Sequence, residues 1–234
     1  MNDHCERHHK FQPVCGGCQK AKHDYWHPVK DLPAPDALPA PSLGARITEI
    51  SWIYVLTIFG LSYAVTDLGL SRSLVLGAIA LGAVVELITI PLFGNLSDRM
   101  GRRVIYLVGC VAAICLSFPV FWAIATREPV IVVLAFVIGM SVGHGIMYGV
   151  QASFLSEMFP PNLRYSGASL GYQLAAPLGG GLVPVAAGTI VGLTHGATWP
   201  VSLLMIAIAS ATILAIWAAR ETAPQVAKLQ PTFT

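Results

Sequence analysis

The chain has 234 residues, of which 55% are hydrophobic and 11% are charged, and its formal net charge is +2. A soluble domain carries about 25% charged residues, so this composition excludes an ordinary water-exposed fold and predicts a protein whose solvent is lipid. The small net charge and the lack of a long basic run in the sequence also exclude a nucleic-acid-binding protein.

Residues 1–45 form a polar, Pro-rich segment that we expect to be a disordered N-terminal tail. Its first 30 residues contain no apolar stretch of the kind that a secretory signal peptide requires. Cys15 and Cys18 have the spacing of zinc ligands, which makes them weak candidates for a metal site. The tail holds one such pair and its histidines fit no standard pattern, so we predict no metal.

Residues 46–222 contain six apolar segments, each long enough for a transmembrane helix, which needs about 20 apolar residues. The sequence therefore predicts an all-α membrane domain of six spans, followed by a C-terminal tail at 223–234. Ser71 can cap the second span, and Pro129 suits the first turn of the fourth. The dipeptide Pro160-Pro161 predicts a helix end. The predicted spans are about 47–66, 73–96, 104–125, 129–154, 165–192 and 198–219.

The orientation follows from the Lys and Arg residues that flank the spans, which concentrate on the cytoplasmic side of a membrane protein. Six spans place both termini on one side. That side would hold seven of these cations and the opposite side two, so we predict that both termini are cytoplasmic. The seven are Arg46, Arg99, Arg102, Arg103, Arg164, Arg220 and Lys228, and the two are Arg72 and Arg127.

The loop between the second and third predicted spans has the sequence GNLSDRMGRR at residues 94–103. Its glycines would allow close helix approach and a sharp turn. The loop resembles the cytoplasmic motif G-x-L-x-D-R-x-G-R-R of the major facilitator superfamily at every defined position. The resemblance implies a loop that stabilises the state closed to the cytoplasm, whereas the alternative is a basic turn that only sets topology. The matching residues are Gly94, Leu96, Asp98, Arg99, Gly101, Arg102 and Arg103.

A second stretch, from residue 149 to residue 184, is similar to the metabolite–proton symporter family within that superfamily. The resemblance implies the second half of a twelve-span transporter. It also implies symport of a small organic solute, such as an organic acid or a betaine-like osmolyte, driven by a proton gradient without a cofactor. One half offers one wall of the central site of such a protein. Activity would therefore need a homodimer or a separately encoded half, and a truncated, inactive product is the alternative.

Glu86 stands near the middle of the second predicted span, and we interpret it as the one acid at membrane depth. An acid there costs about 2.5–3.5 kcal/mol on insertion scales and usually faces a cavity or a partner. Because a carboxyl in low dielectric resists ionisation, Glu86 is a candidate for proton coupling. The alternative is a protonated Glu that forms a hydrogen bond between helices.

Several other polar side chains of the spans are candidates to line a substrate cavity. His144 and Tyr148 share one face of the fourth span because they are four residues apart, and Gln151 lies near that face. Simple hydrogen bonding between helices is the alternative for each. The remaining candidates are Tyr54, Tyr63, Tyr172 and Gln173.

Glu157 and Arg164 flank the Pro-Pro turn on the predicted cytoplasmic side. We expect an ion pair between them, or between this turn and the loop at 94–103, as part of an inner gate. Exposed pairs are often worth less than about 1 kcal/mol, so such a pair would bias conformation without determining the fold.

Two rival functions fit six spans. A rhomboid-type intramembrane protease is a distant alternative, because residues 167–169 match the start of its nucleophile motif, but the next residue is Leu170 and the one later histidine is His195. A Ser–His pair needs hydrogen-bond reach, which we do not expect between these two. The other rival is a non-transporting remnant or structural membrane protein. We therefore predict a transporter and not an enzyme, located in a bacterial inner membrane.

The orientation can be tested with topology reporters fused at three positions. We expect fusions at Lys228 and within residues 99–103 to report the cytoplasm, and a fusion at Arg127 to report the opposite side, because of the seven-to-two cation bias. A cytoplasmic report from Arg127 would contradict the six-span arrangement.

Overall fold

The computed structural model describes residues 40–157 and 164–218 of the chain. The predicted Cys15/Cys18 pair, the Pro160-Pro161 helix end and the C-terminal tail lie outside the described residues, and so do residues 1–39. The division into two tails and one membrane domain therefore stays a prediction.

Six long helices make up the described part of the chain, and all six are long and apolar enough to cross a membrane. This confirms the predicted all-α, six-span fold class, and no strand occurs among the described residues. The second and fourth helices run a few residues past their predicted ends. We number the helices α1 (residues 40–67), α2 (Arg72–Met100), α3 (Arg102–Ala125), α4 (Pro129–Glu157), α5 (residues 164–193) and α6 (Trp199–Ala218).

The helix boundaries follow from local chemistry. The Ser71 hydroxyl accepts a hydrogen bond from the backbone N–H of Leu74 at 3.3 Å and caps α2, as predicted. Pro129 occupies the first turn of α4. A backbone N–H at this position would have no partner within the helix, so proline loses no hydrogen bond there. Gly101 separates α2 from α3 with a φ of +97°, a conformation that glycine adopts without the strain a Cβ would cause.

Helices α1 and α4 lie in the interior of the bundle, and α2 and α5 are its most exposed helices. Helix α6 packs against α1 and α3, α2 packs against α4, and α5 packs against α1. Large apolar side chains such as Leu56, Phe136 and Met147 fill the core between them. Because α1 and α4 face protein on most sides, any polar group in the interior must find its partners on the neighbouring helices.

Helices α2 and α4 touch through their backbones near the predicted cytoplasmic end. A Cβ on Gly149 would lie 2.5 Å from the carbonyl oxygen of Ile90, and a Cβ on Gly94 would lie 3.3 Å from the carbonyl oxygen of Gly149. Glycine at both positions therefore permits this close approach, which is a common way for helices to associate in lipid.

Three helices are locally unwound into π-helical turns, at Val55–Phe59 and Tyr63–Asp67 in α1, Gly139–His144 in α4 and Ala176–Leu182 in α5. Such turns occur frequently at functional sites. The segment in α4 is held by α1, because the indole nitrogen of Trp52 donates to the carbonyl oxygen of Gly139 at 2.7 Å. This segment ends at His144 and so sets which way that side chain faces.

The α2–α4 contact predicts a strong effect of a single methyl group at Gly149. We expect Gly149→Ala to lower the stability of the bundle by about 1–3 kcal/mol, because the methyl group meets backbone atoms that cannot rotate away. Gly188→Ala is the matched control, since nothing lies within 4 Å of its Cβ position. The measurement is thermal unfolding of both variants in detergent, and equal transition temperatures would contradict the close-approach interpretation.

Candidate functional site

A buried histidine lies between two carboxylates from different helices. The Nδ1 atom of His144 in α4 is 2.7 Å from Oε1 of Glu86 in α2. Its Nε2 atom is 2.8 Å from Oε1 of Glu49 in α1. Glu49 is 2% exposed, His144 6% and Glu86 7%. We call these three residues the Glu–His–Glu triad.

Arg46 extends the triad along α1 and into two further helices. Its Nη1 atom donates to Oε2 of Glu49 at 2.5 Å and to Oε1 of Gln151 in α4 at 2.6 Å. The guanidinium also lies over the ring of Tyr172 in α5, 4.2 Å from the ring centroid, in a cation–π contact. A continuous chain of polar contacts therefore joins α2, α4, α1 and α5.

The positions of these residues follow from helical geometry. Arg46 and Glu49 are three residues apart on α1 and so share one face, and on α4 the side chains of His144 and Tyr148 are related by one turn. The rings of the latter pair stack with their centroids 5.0 Å apart. Gly143 leaves room beside this face, because a Cβ there would overlap the indole ring of Trp52.

Two hydrogen-bond donors of the site have no partner among the described residues. They are Nε of Arg46 and Nε2 of Gln151, and both atoms are buried. The Gln151 side chain belongs to a residue that is 0% exposed. A buried donor without an acceptor is costly, so these two atoms are the unused hydrogen-bonding capacity of the site.

Among the described residues, the structure brings together four of the predicted cavity residues, namely Glu86, His144, Gln151 and Tyr172, with Tyr148 stacked beside them. Three other candidates lie elsewhere. Tyr54 is partly exposed and packs against Gly180 of α5. Tyr63 lies near the other end of α1 and donates to the carbonyl oxygen of Gly196 at 3.3 Å. Gln173 is exposed on α5.

The expectation that Glu86 is the one acid at membrane depth was wrong. Glu49 is buried in the same cluster and contacts the same histidine. Sequence reasoning missed it because Arg46 and Glu49 stand just before the uncharged run of the first span, where charges ordinarily flank the membrane. Their i,i+3 spacing was the available indication that they act as a pair.

The loop between α2 and α3 forms a separate set of ion pairs. Arg102 Nη2 is 3.2 Å from Oδ1 of Asp98, and Arg102 Nε is 3.0 Å from Oε1 of Glu157 at the end of α4. The sequence predicted a pair of Glu157 with Arg164 or a pair between this turn and the loop, and the contact of Glu157 with Arg102 is of the second kind. The Arg164 side chain is not among those the structure describes, so a pair with Arg164 stays a prediction. The pairs observed are partly exposed, so each contributes little to stability.

Arg103 connects the same loop to the last helix. Its Nη2 atom donates to the carbonyl oxygens of Ile216 and Trp217, at 2.9 and 3.3 Å. A cation at the C-terminal end of a helix satisfies carbonyl groups that have no partner within the helix. The loop thus contacts the ends of both α4 and α6.

A Ser–His catalytic pair does not form. Ser169 lies near the start of α5 and His195 lies in the turn after its end. The intervening helix is roughly 35 Å long at 1.5 Å per residue, far beyond hydrogen-bond reach.

The described residues therefore make up a multi-pass membrane protein with a buried, charged site at the meeting of four helices. Comparison with known proteins identifies its family. Residues 43–233 match the Major Facilitator Superfamily, and the chain belongs to this family, whose members are transporters and not enzymes. No solved structure matches the chain.

Curated relatives are transporters of small organic solutes. The shikimate transporter of Escherichia coli (strain K12) is 32% identical over 165 residues, which cover 70% of this chain and 38% of that protein. The citrate-proton symporter of Klebsiella pneumoniae is 28% identical over 60% of this chain and 32% of its own length. The proline/betaine transporter of Escherichia coli (strain K12) is 34% identical over 50% of this chain and 23% of its own. The chain thus spans about two fifths or less of these relatives.

The loop contacts predict a conformational effect of Asp98. We expect Asp98→Asn to leave membrane insertion intact and to increase labelling, from the cytoplasmic side, of a cysteine placed at Tyr148, because it weakens the pairing of Arg102 that joins α2 to α4. The measurement is labelling by a membrane-impermeant thiol reagent in inside-out vesicles. Arg72→Gln, at the other end of α2, is the control, and unchanged labelling in the Asp98 variant would reduce the loop to a topology determinant.

Proposed function

We propose that this chain forms half of a secondary active transporter that moves a small organic acid together with protons. The observation that carries the proposal is the buried polar chain from Glu86 through His144 and Glu49 to Arg46. Charged side chains within spanning helices are rare and mark substrate or ion pathways. Here two carboxylates, a histidine and a guanidinium meet in a bundle whose other buried polar side chains, among the described residues, are uncharged.

The chemistry of the free donors favours a carboxylate as the substrate group. Arg46 Nε and Gln151 Nε2 both offer a proton and find no acceptor among the described residues. A carboxylate accepts from a guanidinium in a planar, charge-assisted arrangement. Two relatives are named for shikimate and citrate, and shikimate and citrate are both carboxylates, which agrees with this assignment. A zwitterionic osmolyte also carries a carboxylate and fits the same donors.

The working transporter requires a second half. Transporters of this kind alternate access by rocking two repeats about a shared site, and this chain supplies one six-helix repeat. We propose that the other wall comes from a separately encoded half or from a second copy of the chain. We place the assembly in a bacterial inner membrane with both termini in the cytoplasm, in agreement with the cation bias of the loops.

A non-transporting remnant is the remaining alternative, and it predicts a different effect of substitutions in the site. A remnant transports no solute, so substitutions at Arg46 and Gln151 would change only the stability of the bundle. Transport by proteoliposomes that contain the chain, alone or with its complementary half, separates the two.

The test of the substrate site is the uptake of radiolabelled shikimate and citrate by such proteoliposomes. We expect Arg46→Gln to weaken uptake about tenfold to a hundredfold, because a hydrogen bond to a charged group contributes about 1.5–3 kcal/mol. Arg46→Lys keeps the charge without the planar donor pair and should fall between. Arg72→Gln, a cation at the opposite end of α2, is the matched control. Equal uptake by Arg46→Gln and the unmodified chain would place substrate recognition in the other half.

A further inference from the structure

Both ring nitrogens of His144 are within hydrogen-bond distance of a carboxylate oxygen, at 2.7 Å for Glu86 and 2.8 Å for Glu49. A neutral imidazole has one N–H donor and one acceptor nitrogen, and an ionised carboxylate accepts only. Two hydrogen bonds along this line therefore need two protons. These are present in an imidazolium between two carboxylates, or in a neutral imidazole with one protonated carboxyl.

Removal of one of these protons is incompatible with the observed contacts. A triad with a single proton would set a nitrogen lone pair against a carboxylate lone pair at less than 3 Å, which is repulsive. One of the two links must then lengthen. The geometry shown is thus that of the two-proton triad.

The two carboxylates differ in what else holds them. The second oxygen of Glu49 accepts a hydrogen bond from Arg46 at 2.5 Å. The negative charge of this carboxylate is therefore balanced by Arg46 in either protonation state of His144. Within the described residues, the one hydrogen-bond partner of Glu86 is His144. Loss of a proton from the triad therefore breaks the His144–Glu86 link and leaves the Glu49 link in place.

The surrounding charges support the same assignment. Helix α1 supplies Arg46 and Glu49, which neutralise one another, and α2 supplies Glu86. Helices α3, α4 and α5 add the neutral phenols of Tyr106, Tyr148 and Tyr172, and the described part of α6 has no titratable side chain. The cluster is uncharged with two protons on the triad and carries one negative charge with one proton, which is costly in an apolar interior.

We infer that His144 and Glu86 bind one exchangeable proton between them, and that its release breaks the hydrogen bond that joins α2 to α4 at this depth. The inference deepens the proposed function, because it identifies the proton site within the same cluster. The packing contacts of α2 with α4, such as Gly82 against Met140 and Gly149 against Ile90, involve no titratable group and remain. The proton therefore controls the His144–Glu86 hydrogen bond and leaves the packing contacts of the two helices in place.

The experiment uses the full-length chain in lipid nanodiscs and does not need transport. The protonation of His144 is followed through the ring-nitrogen resonances of labelled histidine. The resonances of His144 are those that disappear in the His144→Gln variant. The α2–α4 separation is followed by spin labels at Val84 and Ile138, two exposed positions, after replacement of the five native cysteines. Both are recorded across about pH 5 to 10, a window that contains the ordinary titration range of histidine and extends well above it.

As the pH rises, we expect the His144 resonances to change from those of a doubly protonated ring to those of a singly protonated ring. The distance between the labels on α2 and α4 should shift in the same pH range. In Glu86→Gln the side-chain amide can donate a hydrogen bond to Nδ1 of a neutral His144, while the Nε2–H group of His144 donates to Glu49. Both hydrogen bonds of His144 are then made without an exchangeable proton. That variant should lose the pH-dependent distance change completely and keep the short distance. Glu128→Gln, the same substitution at an exposed residue outside the triad, should behave as the unmodified chain.

Three outcomes would overturn the inference. They are the absence of a His144 transition in the unmodified chain, a transition with no change of distance, and a distance change that persists in Glu86→Gln. Failure of uptake in proteoliposomes with an intact proton transition would instead refute the proposed function and leave this inference standing.

Discussion

The interior of this bundle depends on the contact of His144 with two carboxylates from other helices. Moving a charge out of water is expensive, and removing one partner of a buried pair typically costs about 3–5 kcal/mol. Helices α1, α2 and α4 must therefore keep the register in which Glu49, Glu86 and His144 meet. In lipid, where apolar contacts between helices gain little over contacts with lipid, such a polar junction defines which helix faces which.

The backbone around this junction is adapted to it. The π-helical turn Gly139–His144 ends at the histidine and is fixed by the indole of Trp52. Close to the predicted cytoplasmic end, Gly94 and Gly149 let the backbones of α2 and α4 touch. The same two helices are thus joined by contacts of opposite kinds. One is a packing contact without titratable groups, and the other is a polar link that depends on protons.

The loop between α2 and α3 uses charge in a different way from the interior. Arg102 pairs with Asp98 and Glu157 in partly exposed positions, where water screens the attraction and each pair is weak. The buried triad is strong and specific, but its strength changes with its proton count. A weak, reversible contact suits a gate that must open and close, whereas a buried one suits a site that must recognise its ligand.

The sequence by itself determined the six spans, the Ser71 cap and the turn at Gly101, because apolar run length, capping and glycine conformation are local properties. It also identified Glu86 and His144 as polar residues within spans. It did not reveal that they touch, nor that Glu49 and Arg46 complete the site, since from the sequence the latter two resemble ordinary flanking charges. Only the tertiary structure decided these contacts, because they depend on the rotation and packing of helices that are 58 to 105 residues apart in the chain.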